Sequence, residues 1–476
     1  MRVVPLYSRS LRNALKCSAL LCLSLLSVAA QAATPSPRAT VTEVADAIQT
    51  YYYDIDRGKE IATALRGEAA QGRYDRYDDP RDLATALSER IRPLDGHFRV
   101  NWRAPDAAGQ APSPGMRPGP GPGPGPGPGP GPGPGPGPGP ASGPGPGGAA
   151  PVDFSPRRNY GLRRVEVLPG NVGYIDLREL PHFEFGDPNE PARRALEAAL
   201  QLVAATDSVI IDLRDNGGGS PASVGYLTSA FTPKNADIYN RFHLRRGDEM
   251  RSDSEAPADW YPNPRLQVPL YVLTSARTGS AAEALAYTLK NAGRAVVVGQ
   301  ASGGAANPGG DIPLAAGFSV FVSFGSPVSP ITHGNWEGTG VIPDVAVAPA
   351  DALATAQRLA LEAALKQGLS GAAAVDTRWA LDALQAQAKP ADSASTADYL
   401  GQYERIQIGQ DGGRVILRNG KRPPQPLATL QGDLFYVAAD PSVRVKFERA
   451  SDGRVAALEI LRSDGSSNRY RMQSTP

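Results

Sequence analysis

An α/β core, with a helical bundle before it and a small antiparallel β domain after it, is the fold class predicted by this 476-residue sequence. Three observations predict it. Apolar runs alternate with helix-period stretches between Tyr160 and Val347. Helix-spaced apolar residues fill Val41 to Leu94, and beyond Ala391 short alternating runs are separated by Gly-rich turns. At 41% hydrophobic residues, a chain of this length can bury more than one core.

Residues 1–32 read as a cleaved secretory signal. Arg2, Arg9, Arg12 and Lys16 precede an apolar stretch from Ala19 to Ala30, and Ala30-Gln31-Ala32 offers the small residues a signal peptidase accepts. That stretch is shorter than the ~20 residues needed to cross a bilayer. Ala19-Leu20-Leu21 before Cys22 lacks the small pair expected ahead of a lipid-modified cysteine. Losing the leader removes four positive and no negative charges, taking the formal charge from +1 to −3, and removes Cys17 and Cys22, the two cysteines of the chain. Cysteine catalysis, disulfides and zinc-thiolate sites are thereby excluded from the mature protein. No later segment is apolar and long enough to span a membrane, so a periplasmic or secreted protein is expected. Lys plus Arg number 49 against 48 Asp plus Glu, a balance that proposes no nucleic acid or anionic membrane as partner.

In residues 33–105 the apolar positions Val41, Val44, Ile48, Ile55, Ile61, Leu65, Leu83, Leu87 and Ile91 predict a small helical bundle. Gly58 and Gly72 are expected to punctuate it, and Asp79-Pro80 to open its third helix. The bundle ends in a strand carrying His97. Residues 106–153 form a linker in which Gly and Pro alternate from about Pro118 to Pro140. The period of two excludes collagen, and proline removes every second backbone donor, so neither sheet nor helix can form. The tract is either a tolerated repeat expansion or the docking point of a proline-recognising partner, which would make the protein a scaffold.

In the core, 154–368, strands are expected at Val172–Leu177, Ser208–Leu213, Leu270–Leu273, Ala295–Val298 and Phe318–Phe324, with helices at Pro191–Ala205, Ala222–Phe231 and Ser280–Asn291. Such alternation gives a largely parallel sheet with its site at the carboxyl ends of the strands. A helix from Ala352 to Gln367 leads into a helical linker, 369–390, with a further helix around Trp379 to Ala388. The domain 391–476 then shows strands at Arg414–Leu417, Leu434–Val437, Val443–Phe447 and Val455–Leu461.

Three core loops could carry chemistry. In Thr274 to Glu283, Ser280 stands at a helix start, where free amides favour developing negative charge. The same Ser-Ala-Ala-Glu is also a capping box, a purely structural use. Asp212 to Ser220 contains Gly217-Gly218-Gly219, which either exposes amides as an oxyanion hole does or makes a tight turn; the spacing of a phosphate-binding motif is absent. In Gly334 to Asp344, Glu337 either orients a base or bonds backbone amides. A nucleophilic serine needs a base. Lys290 lies ten residues along the helix from Ser280, about 15 Å away and out of reach. Among His97, His182, His243 and His333, His97 stands apart at Asp95-Gly96-His97-Phe98, where a helix gives way to a strand.

Together Asp95-Gly96-His97, Gly170 to Ile175, Asp212 to Gly219, Thr274 to Glu283, Gly299 to Pro308 and Trp336 to Asp344 resemble the tail-specific protease family, in the branch of tricorn protease and interphotoreceptor retinoid-binding protein. The likeness covers roughly 41–365 apart from the Gly-Pro tract. It implies a ClpP/crotonase-like core and a serine peptidase without cofactor or metal. In it Ser280 is the nucleophile, His97 the general base, Glu337 the assisting carboxylate, and amides of Ala281 and of Gly218 or Gly219 the oxyanion hole. It also implies a peptide or unfolded-protein substrate, allows an oligomer, and offers an alternative, a non-catalytic ligand- or peptide-binding protein. Departures are visible: Gly299 to Gly304 holds no lysine base, Gly96 replaces an auxiliary serine, Asn307 stands where relatives often carry histidine, and no segment reads as a PDZ module.

Overall fold

The computed structural model describes residues 36–104, 155–388 and 396–473. The expected signal segment and Gly-Pro linker lie outside the described residues. Helices α1 (Pro37–Tyr51), α2 (Ile55–Ala70) and α3 (Pro80–Ile91) bury the residues whose spacing predicted them except Ile55, which opens α2 half-exposed, with Val41, Val44, Ile48, Leu65, Leu87 and Ile91 fully inside. Asp79 caps α3 through the Arg81 amide at 2.8 Å, with Pro80 in its first turn. Gly72 ends α2 in a left-handed turn (φ +75°) as expected. Gly58 does not punctuate: it sits inside α2, where a Cβ would meet the Ile48 carbonyl of α1 at 3.2 Å. It is there to let two helices approach.

Strand β1 (Arg99–Trp102) follows. Beyond the linker, β2 (Leu162–Leu168), β3 (Val172–Leu177), α4 (Pro191–Leu202), β4 (Ser208–Asp212) and α5 (Pro221–Ser229) open the core. Next come the hairpin β5 (Arg241–Arg246) and β6 (Glu249–Ser254), then β7 (Leu270–Thr274), α6 (Ala281–Asn291) and β8 (Val296–Gly299). Strands β9 (Gly309–Pro313), β10 (Phe318–Ser323), β11 (Gly325–Val328) and β12 (Val345–Ala346) complete it. The main sheet runs β12-β8-β7-β4-β3-β2, parallel throughout except for the β2 edge. Helices α4 to α6 cover one face, burying Leu196, Val224 and Leu285 against Ile211 and Val272. Helices α7 (Ala352–Lys366) and α8 (Gly371–Gln387) cover the other, with Leu361 and Leu381 against Ile210 and Leu273. Burial on both faces is why β3, β4 and β7 read as largely apolar runs without a period of two.

The Phe318 strand forms as β10 but not in this sheet. It pairs antiparallel with β9 on one side and with β1 on the other, Arg99 opposite Phe321. Phe98, Val100, Phe318, Val320 and Val322 share one hydrophobic cluster with the three front helices. The bundle is thus welded to the core through a strand pair more than 200 residues apart in sequence.

At the other end eight antiparallel strands, β13 (Gly401–Tyr403) to β20 (Ser467–Arg471), meander in chain order. Met472 bridges back to Tyr403, nearly closing the sheet around Tyr403, Phe435 and Phe447. Arg444 seats this unit on α8, its guanidinium 4.3 Å from the Trp379 ring centre and 2.7 Å from Asp382. Among the described residues no helix is long and apolar enough to cross a membrane.

Candidate active site

Ser280 sits between the carboxyl end of β7 and α6, with φ 51° and ψ −124°. An ordinary helix cap has extended backbone there, and a non-glycine residue in this region is strained. The predicted capping box is present, the Glu283 carboxylate accepting the Ser280 amide at 2.8 Å. Glu283 does far more than a cap requires. Fully buried, it also accepts the Ala305 amide at 2.8 Å, the Gly304 amide at 2.6 Å and the Ser302 hydroxyl at 2.5 Å. Burial pushes its carboxyl up, and these four donors pull it back only in part.

The glycine loop after β4 lies directly against this turn. A Cβ on Gly218 (φ +122°) would stand 2.7 Å from the Ser280 Cβ and 3.2 Å from the Ala281 nitrogen. Asn216, fully buried, fixes the junction: its carbonyl accepts the Gly279 amide at 3.0 Å, its Nδ2 donates to Leu177, and its Oδ1 accepts the Gly218 amide at 2.9 Å. The Gly218 amide is therefore occupied. Among the described residues the amides of Gly219 and Ala281 donate to no protein acceptor.

The base side is delivered by the bundle. At the turn from α3 into β1, Asp95 Oδ1 accepts the His97 amide at 2.8 Å. The His97 ring stacks on Phe321 of β10 with centroids 5.9 Å apart. Its Nδ1 lies 3.0 Å from Glu337 Oε1 and 3.4 Å from Asp95 Oδ1, facing both carboxylates without the alignment of a full hydrogen bond to either. Burial disfavours the imidazolium, but both carboxylates outweigh it and push the ring up to about 9. Burial likewise raises the Asp95 carboxyl, yet the His97 ring and amide hold it below its ordinary value. The three residues bring ligand-type atoms within 4.8 Å of one another.

Two glutamates join the halves. Glu337 Oε2 accepts the amides of Ala306 and Asn307, both at 2.9 Å, while its Oε1 faces His97. Four successive amides, 304 to 307, are thus divided between the carboxylate that holds Ser280 and the one that holds His97. With neighbouring residues about 3.8 Å apart, the two carboxylates stand within about 10 Å of each other. Glu337 thus bonds backbone amides and faces the His97 ring at once. Lys290 is turned elsewhere, on Asp344 at 2.8 Å and the Ile342 carbonyl at 2.6 Å. His182 contacts Ser220 and Glu184, and His243 contacts Ser252. Asp95, Asn216 and Ser302 carry no sequence signal of their place here; burial of a polar side chain, their common mark, is not legible from residue type.

The core is that of a mixed α/β protein, with a strained serine at a helix start, a glycine loop beside it and a histidine facing two carboxylates. Residues 171–347, from the turn before β3 to just past β12, match the model of peptidase family S41. Carboxyl-terminal-processing peptidase 1, chloroplastic, of Arabidopsis thaliana is 30% identical over 196 residues, 40% of this chain and 37% of that protein. Carboxy-terminal processing protease CtpB of Bacillus subtilis (strain 168) is 30% identical over 187 residues, 39% of this chain and 36% of that one. The chain thus spans little more than a third of the length of either. Among solved structures, the photosystem II D1 C-terminal processing protease aligns at 23% identity and a TM-score of 0.29, covering 38% of this chain and 43% of that one.

Proposed function

We propose that this protein is an exported serine peptidase that hydrolyses peptide bonds in short or unfolded substrates through an acyl-enzyme. The observation that carries the proposal is the shared loop 304–307, which ties Ser280 to one glutamate and His97 to the next. Ser280 Oγ attacks the substrate carbonyl carbon, and neutral His97, its Nδ1 held by Glu337, takes the proton at Nε2. The carbonyl oxygen, now negative, is met by the free amides of Ala281 and Gly219; the Gly218 amide would first have to leave Asn216. His97 then protonates the leaving amine, the peptide bond breaks, and water, deprotonated in turn by His97, releases the acyl group.

Secretion follows from the leader-like segment 1–32. A non-catalytic binding protein is the rival, and strain at Ser280 counts against it, because a binding loop has no use for a nucleophile held in a disfavoured backbone conformation. Digestion of casein by the purified mature chain, compared with Ser280→Ala, tests the proposal. Hydrolysis abolished in the variant is expected; equal hydrolysis by both, or none by either at any pH from 6 to 10, rejects it.

A further inference from the structure

We infer that Asp95 is a second positioning residue for His97, holding the ring at Nδ1 together with Glu337. The inference rests on the peptidase reading only for its consequence in turnover; its geometric basis is independent. Asp95 is nearly completely buried, its side chain 2% exposed, whereas Glu337 is 21% exposed. It sits on the turn that fixes the His97 backbone, so ring and main chain are set by one carboxylate.

The groups facing this imidazole come from four elements. Asp95 is on its own turn, and Glu337 on the loop before β12. Tyr52 and Tyr53 close α1, both with hydroxyls pushed up by burial and by the charge of Asp95. Ser323 and the neutral ring of Phe321 come from β10, and Arg99 lies 4.7 Å over that ring. Among the described residues no lysine is paired with either carboxylate, and the nearby Arg99 is paired with Asp311 at 3.5 Å. With the ring pushed up to about 9, roughly one molecule in a hundred carries a free base at pH 7. Turnover is therefore gated by alkaline pH, or by whatever displaces one carboxylate.

A structural role for Asp95 as the acceptor of the His97 amide is separable from this one. Asp95→Asn keeps a turn acceptor and loses the charge, and Asp95→Ser does the same with a hydroxyl should the first not fold. The test is an NMR titration of the His97 ring in the Ser280→Ala background, assigned by His97→Gln, so that no peptidase activity is needed. Loss of the charge is expected to lower the titration midpoint by about one pH unit or more. In the active chain the ratio of kcat/KM at pH 7 to that at pH 9.5 is expected to rise about tenfold. A midpoint unmoved in both variants overturns the inference whatever the enzyme does. A moved midpoint in a chain without Ser280-dependent hydrolysis sustains it and rejects the peptidase reading alone.

Discussion

Replacing Glu283 by glutamine keeps the shape of the side chain and removes half of its accepting capacity. Four donors converge on the two carboxylate oxygens, two on each. An amide nitrogen in place of either oxygen leaves two donors facing a donor. Losing two charge-assisted hydrogen bonds costs about 1.5–3 kcal/mol each, and relief of burying a charge in a fully enclosed site offsets part of it. The net destabilisation expected is about 3 kcal/mol, together with loosening of the loop 302–305 and of the Ser280 amide. Urea unfolding followed by tryptophan fluorescence reads the first; Trp336, 1% exposed and 5.0 Å from Tyr287, lies in the affected region. Hydrogen exchange of the 299–308 peptide reads the second. A midpoint change worth less than about 1 kcal/mol, with unaltered exchange in that peptide, would refute the assignment of Glu283 as the anchor of both loops.

Two other perturbations follow from the same geometry. Glu255 is buried, takes one hydrogen bond from Asn240 at 2.8 Å, and has its second oxygen unpartnered; burial pushes its carboxyl up to about 8. The unfolded chain releases this proton near the ordinary carboxylate value while the folded chain keeps it, so stability should fall as pH rises from about 4.5 to about 8 and level off above. Glu255→Gln should remove that part of the decline, gaining a few kcal/mol on the wild type between pH 5 and pH 8; parallel urea midpoints across the range would contradict it. Gly218→Ala would drive a methyl to 2.7 Å from the Ser280 Cβ at a backbone angle of +122°, and hydrolysis should drop by ~10²-fold or more with the circular dichroism spectrum unchanged. Retained hydrolysis would show that the glycine loop does not border the reacting serine.

Continuous burial made the core strands legible, because a strand covered on both faces is apolar at most positions rather than at every second one. The same logic hides the β5–β6 hairpin, whose residues are mostly exposed and polar and carry no period-two apolar signal. Four of the eight C-terminal strands escaped for a related reason: segments such as Gln425–Gln431 bury only one side chain. Phe318–Ser323 was legible as a strand but not as the partner of Arg99–Trp102, since pairing across more than 200 residues leaves no local trace. That pairing brings His97 to the core, a placement that the family resemblance implies and periodicity does not. Gly58 misled because a glycine that ends a helix and one that lets two helices touch look alike in sequence.

The account's central claim is that His97 and Ser280 act as one unit. Fluorophosphonate labelling, mapped by peptide mass and timed at several pH values, measures this most directly. A single adduct on Ser280, forming at a rate that climbs toward pH 9 and falls ~10²-fold or more in His97→Gln, is the expected result. Labelling of another residue, or of Ser280 at an undiminished rate without the imidazole, would contradict it.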